Sequence, residues 1–285
     1  MTLPSSRHLI RPSSRRCADD QLPPANDLTV IGLTGAGRLV SFQSSSPQIS
    51  TLIGSIEGLV SSDTKLIGID FRVQDGLLYG VGNGGGVYTI DTQTAQASFV
   101  NSLSETLQGR RFGVDFNPAA DRLRIISNTG QNLRHDVTGA TTPPTVADGT
   151  LNFPPVPPAT TPTTALGVTG AAYTNNDLEP TPPTVTGTTL FYIDTTNDQI
   201  VLQSPANSGI LVPTGKLGID TGKQVGFDIY SDLVNGLTVG NRAFAVLVVH
   251  GVEGFYQIDL LTGKATFIGD FTNRHIIDIA IPLNQ

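Results

Sequence analysis

The stretch from Leu66 to Leu103, LIGIDFRVQDGLLYGVGNGGGVYTIDTQTAQASFVNSL, divides into four short alternating segments, and most of the remaining chain consists of variants of it. GIDFR, LLYGVG, VYTID and ASFVNSL place apolar residues at period two. Turn-formers lie between them: Gln74-Asp75-Gly76, Asn83-Gly84-Gly85-Gly86 and Asp91-Thr92-Gln93-Thr94. The pattern predicts a four-stranded antiparallel meander. One meander of about forty residues leaves both faces uncovered, so copies must stack side by side, as blades do in a β-propeller.

Five units can be followed. From Asp27 the repeat starts one strand late, because DLTVIGLT, RLVSFQS and PQISTLIGSI match the second, third and fourth segments. The missing first segment lies at the other end, where His275 to Pro282 reads HIIDIAIP. A C-terminal strand that completes the N-terminal blade closes the ring and leaves no open end. The third unit runs from Arg111 through RFGVDFNPAAD, RLRIISNTG and QNLRHDVTG to ADGTLNF at Phe153. Pro154 to Thr164 reads as a surface connection, since its prolines lack donors. The fourth unit runs GVTGAAYTNND, TLFYIDTTND, QIVLQSPANSG and ILVPTGKLGID, with an insertion around Glu179 to Gly187. The fifth runs QVGFDIY, AFAVLVVHGVEG, GFYQIDLLTGK and ATFIGDF, with an insertion around Ser231 to Arg242. A sixth repeat is not found, so the expectation is an all-β, five-bladed propeller over residues 27–285.

Composition agrees with one large β domain. The 285 residues are 38% hydrophobic and 14% charged, with 31 Gly and 19 Pro, and no helix-period apolar stripe runs through them. A net charge of −7 has the wrong sign for a nucleic-acid partner. No apolar run approaches the roughly 18 residues of a transmembrane segment. The single Cys17 excludes an internal disulfide and a Cys-based structural zinc site, and leaves the redox compartment open.

Residues 1–26 form a polar arm carrying Arg7, Arg11, Arg15 and Arg16, with no acid before Asp19. The arm lacks the apolar core of a secretory signal, and the expectation is a disordered tail, a start codon placed too early, or a docking or targeting segment. Localisation stays open; a misplaced start would leave room for the cell envelope or the exterior.

The strings DFNPAADRLR, SNTGQNLR and AAYTNND, together with GIDF, LYGVG, VYTID and LGID, resemble a bacterial family known as domain of unknown function 4394, over roughly Leu28 to Pro282. The resemblance implies the same repeat-built domain and brings no activity or catalytic residue with it.

The most suggestive constellation is a column of acids. Asp70, Asp115, Asp228 and Asp278 fall at one position in four of the five first strands, and Ala172 stands there in the fourth. First strands line the axis of a propeller, so these carboxylates are expected to converge there. They need either backbone or hydroxyl donors from a neighbouring blade, or a hard cation such as Ca²⁺. Glycosidase chemistry would use two of them at roughly 5–9.5 Å. Against it stand the absence of Trp, only six Tyr, and the placing of Glu57, Glu105, Glu179 and Glu253 in loops or turns.

A second group is Tyr173, Asn175, Asn176 and Asp177 at a strand end, and a third is Asn128 and Gln131 in a hairpin. Both are candidates for loop-borne ligand binding, or satisfy local backbone. Asn83 to Gly86 joins two strands with no helix after it, which removes the usual phosphate-loop argument. His8, His135, His250 and His275 have no metal-ligand spacing, and no G-x-S-x-G occurs. Arg122, Arg124 and Arg134 are expected to pair with Asp115, Asp121 and Asp136. The reading that follows is a non-catalytic binding or scaffold module with a protein partner and no required cofactor. The alternative is a carbohydrate-active or other hydrolase using the axial carboxylates.

Overall fold

A computed structural model describes residues 27–140, 144–178, 187–272 and 274–285. The 1–26 arm and residues 179–186 of the fourth-blade insertion lie outside the described residues. Twenty-two strands and no helix are found among them.

Five four-stranded antiparallel sheets form a five-bladed propeller. The first blade has β1 (Thr29–Thr34), β2 (Arg38–Gln43) and β3 (Ser46–Ser55), and the second has β4 (Leu66–Phe71), β5 (Leu78–Gly82), β6 (Gly86–Ile90) and β7 (Ala97–Ser102). The third has β8 (Phe112–Asn117), β9 (Arg122–Ser127), β10 (Asn132–His135) and β11 (Thr145–Ala147). A two-stranded ribbon of β12 (Asn152–Phe153) and β13 (Thr163–Thr164) follows. The fourth blade comprises β14 (Val168–Tyr173), β15 (Leu190–Asp194), β16 (Gln199–Gln203) and β17 (Leu211–Lys216). The fifth comprises β18 (Val225–Val234), β19 (Leu237–Val249), β20 (Val252–Ile258) and β21 (Ala265–Asp270), and β22 (Ile276–Ala280) ends the chain. β22 pairs with β1 in the order β22-β1-β2-β3, with Gly32 opposite Ile279 and Leu33 opposite Asp278. The C-terminal strand therefore closes the ring as the innermost strand of the first blade.

Alternation along each strand sends neighbouring residues to opposite sides of the blade, and this divides the core into five clusters, one at each blade interface. In β2, Val40 and Phe42 face the fifth blade, while Leu39 faces the second. The closure interface holds Phe42, Phe244, Phe255 and Phe271, with Phe42 and Phe255 edge to face at 5.2 Å and Phe244 stacked on Phe255 at 5.3 Å. Around the axis the first strands approach too closely for side chains at one position. A Cβ at Gly68 would lie 2.4 Å from Val114 Cγ2, and one at Gly226 would lie 2.7 Å from the Asp278 Cα. Outermost strands carry a register shift against their neighbours in the first, second, fourth and fifth blades, which interrupts what would otherwise be a regular exposed edge.

The insertion around Ser231 to Arg242 is an extension of the blade: β18 and β19 continue through it as one long hairpin, turned by Asn235 and Gly236 with φ of 52° and 76°. That pair suits a two-residue hairpin turn with both central residues left-handed. The third blade ends at Ala147 rather than Phe153, because Asn152 and Phe153 leave the blade to pair with Thr164 and Thr163. Part of the proline-rich connection is thus strand.

Candidate functional site

The acids converge at the axis and link the blades in one direction. Asp278 Oδ2 accepts the Ile69 N–H of the second blade at 2.9 Å, and Asp70 Oδ2 accepts the Phe116 N–H of the third at 2.7 Å. Asp115 Oδ1 accepts the Tyr173 N–H of the fourth at 3.0 Å, and Asp228 Oδ2 accepts the Ile281 N–H beyond β22 at 2.6 Å. The fourth blade has Ala172 and contributes no carboxylate. At the next position round the ring, the Ile229 N–H donates to Asp228 Oδ1 at 2.6 Å.

All four acids are buried, at 3–7% exposure. One carboxylate oxygen from each of Asp70, Asp115 and Asp228 lies within 4.8 Å of the others. Burial is the main cause that pushes their pKa values up, well above the ordinary carboxylate range for Asp70, Asp115 and Asp278 and to about 6 for Asp228. The facing charge of Asp228 adds to the rise at Asp70, and that of Asp70 to the rise at Asp115. Four surface cavities of about 510, 740, 620 and 170 Å³ are lined by other residues. As a cation site the three acids supply a few oxygens of the six to eight that Ca²⁺ takes, and each is already engaged by a backbone donor.

The loop candidates bind their own protein. The Asn175 N–H donates to Asn241 Oδ1 at 3.1 Å, and Asn241 Nδ2 returns a bond to Asn175 Oδ1 at 2.8 Å. Asn176 N–H donates to Ser231 Oγ at 2.9 Å, and Asp177 Oδ1 accepts the Thr238 N–H at 2.7 Å. Together they fasten the end of β14 to the long fifth-blade hairpin. The Tyr173 hydroxyl accepts from Arg124 Nε at 3.2 Å. Asn128 Oδ1 accepts the Arg110 and Arg111 N–H groups at 2.9 and 3.1 Å, and Gln131 Oε1 accepts the Gln108 N–H at 2.8 Å.

The arginine pairing differs from expectation. Arg124 is buried and bonds Asp148 at 2.8 Å, Asn132 at 2.7 Å and Asn207 at 2.7 Å, while Arg134 joins it on Asp148 at 2.8 Å. Asp121 goes to Arg72 of the second blade at 2.6 Å, and Arg122 meets an expected partner, Asp136, at 3.5 Å. Asp115 faces the axis, out of reach of these cations. Glu253 also moves from a turn into β20, where it accepts the Ile276 N–H at 2.9 Å and contacts His275 Nδ1.

Asp63, a residue the sequence reading passed over, explains the glycine loop. Its carboxylate accepts the Gly84 N–H, the Gly86 N–H at 3.1 Å and the Tyr88 hydroxyl at 2.6 Å. The loop amides cradle an anion after all, and that anion is the protein's own.

The sequence matches the family model described as Domain of unknown function (DUF4394) over residues 38–280. The chain belongs to this family. No curated protein matches it. Among solved structures the chain is similar to a structural-genomics protein of unknown function from Bacteroides thetaiotaomicron VPI-5482. That likeness has 11% identity and a TM-score of 0.46 over 91% of this chain and 68% of that one. It is also similar to hydrazine synthase of Kuenenia stuttgartiensis, at 12% identity and a TM-score of 0.39 over 79% of this chain and 53% of that one. A third likeness, at 13% identity and a TM-score of 0.40, is to a protein from Lactobacillus plantarum, over 90% of this chain and 99% of that one. Likeness at this level says nothing about what the ring binds. No helix among the described residues is long and apolar enough to cross a membrane.

Proposed function

We propose that this propeller is a non-catalytic binding module that recognises a protein partner through its rim. The observation that carries the reading is that the outermost strand of every blade exposes a large apolar side chain: Ile49 and Leu52 on β3, Phe99 on β7, Val146 on β11, Val212 on β17 and Phe267 on β21. Single exposed apolar residues are ordinary, but their recurrence around one circumference supports a recognition surface. The rims of the fifth and first blades adjoin, with Pro47 packed against Gly269, so Ile49 at 72% and Phe267 at 57% exposure share one region of it. This reading assigns the axial acids to holding blades together and requires neither metal nor cofactor.

Affinity capture from the native source tests it, using the wild-type chain and an Ile49→Ser, Phe267→Ser double variant of unchanged melting temperature. A protein retained by the wild type and lost by the variant is the expected result. Glycosidase or esterase turnover that disappears in Asp115→Asn would replace the reading with the hydrolase alternative.

A further inference from the structure

One end of the propeller axis is a cationic mouth. The 170 Å³ cavity there is lined at the starts of first strands by Lys65 of the second blade, Arg110 and Arg111 of the third, Gln224 of the fifth and His275 of the first. Among the described residues its lining includes no carboxylate. An adjoining groove of about 620 Å³ shares Arg111, Gln224 and His275 with it and adds Lys223 and Arg274. Among the described residues Glu253 is the groove's one acid, and its carboxylate is engaged by the Ile276 N–H and His275. Five of the seventeen Lys and Arg of a chain with net charge −7 thus gather at one mouth.

The backbone carrying these charges is fixed while the charges themselves are not. Asn83 Oδ1 accepts the Thr64 and Lys65 N–H groups at 2.8 and 3.1 Å, as Asn128 does for Arg110 and Arg111. Among the described residues, Lys65, Arg110, Arg111 and Lys223 form no ion pair. Arg111 Nε is buried with no acceptor. A buried charged donor left unpaired is destabilising, and an external acceptor removes that penalty. Guanidinium groups match the oxygens of carboxylate and phosphate, and three cations with no acid in the cavity lining favour more than one negative charge on the guest.

We propose that this mouth binds a small, multiply charged oxyanion, a phosphate or a compact polycarboxylate, with Arg111 as its central ligand. The site is separate from the rim and does not depend on the protein-partner reading, so either can fail alone.

Isothermal titration of the full chain with inorganic phosphate and with citrate, in chloride buffer, tests the proposal and separates the two sources of oxyanion. Saturable binding of one or both is expected, weakened at least tenfold by Arg111→Met and also by a Lys65→Met, Arg110→Met variant whose substitutions are exposed. Lys264 lies in the β20–β21 turn at the opposite face, and Lys264→Met should leave the binding unchanged. No saturable binding of either anion to the wild type, or an equal loss in Lys264→Met, would overturn the proposal.

Discussion

Replacing Asp115 by Asn should raise stability at pH 8 and leave it nearly unchanged at pH 4. The carboxylate oxygens of Asp70, Asp115 and Asp228 lie within 4.8 Å of one another. Full charges at that separation repel by about 3.5 kcal/mol per pair at an effective dielectric constant of 20. Burial adds to the penalty and is the larger cause of the raised pKa values. For Asp228 alone, the rise from 3.8 to about 6 is of order 3 kcal/mol. A raised carboxyl keeps its proton in the folded chain after the unfolded chain has released it. Its contribution is therefore fully present below about pH 4 and is lost as pH rises through about 6.

Asn keeps an oxygen for the Tyr173 N–H and loses the charge, and its amide can donate to a neighbouring carboxylate as a protonated Asp would. The expected gain at pH 8 is about 1–3 kcal/mol, and each kcal/mol moves the melting temperature by roughly 2–4 °C in a chain of this size. Thermal unfolding of wild type and variant from pH 4 to 8 measures the difference directly. Taking the difference cancels groups common to both, such as His135, whose pKa burial lowers to about 4 and whose own contribution is lost as pH falls from about 6.5. A variant less stable than wild type at pH 8, or one offset equally at every pH, would refute the reasoning.

Chelation is expected to leave the melting temperature unchanged, because the axial acids are engaged by backbone donors; a fall on adding EDTA that Ca²⁺ reverses would make the cluster a cation site. Gly226→Ala should cost about 1–3 kcal/mol in urea unfolding, since its Cβ would meet the Asp278 backbone at 2.7 Å and the first and fifth blades would have to part. Wild-type stability would show that the axis yields. Arg124→Met should cost about 3–5 kcal/mol, because Asp148 would stay buried with only the half-exposed Arg134 against it. A loss below about 1 kcal/mol would mean that this network repacks without its cation.

What could be read in the sequence was whatever recurs at a fixed place in the repeat. The acid column, the glycine two residues before four of the first-strand positions, and the displaced first strand at Ile276 are visible because each repeat supplies an independent copy. Features made by one blade alone were harder to read. Asn235-Gly236 carries a strong hairpin signal, yet the exposed residues flanking it interrupt the apolar pattern, so the segment reads as an insertion of no stated structure. Arg124 found Asp148 instead of the nearer acids because its strand partner Asp115 turns to the axis, and Asp148 follows a three-residue outer strand too short to read.

The cationic mouth was hidden for a different reason. Its charges come from the linkers that enter first strands, and they occupy unlike positions: Lys65 two residues before Ile67, Arg110 and Arg111 just ahead of Phe112, Lys223 ahead of Gln224, and Arg274 at the entrance to β22. No periodic search aligns them. They meet because ring closure brings residues from both ends of the domain to one opening, and Asn83 and Asn128 hold two of the linkers from equivalent places on neighbouring blades. The repeat therefore supplies identical supports, and the residues they present differ. A binding surface on a ring of this kind is to be sought where the scaffold repeats and the side chains do not.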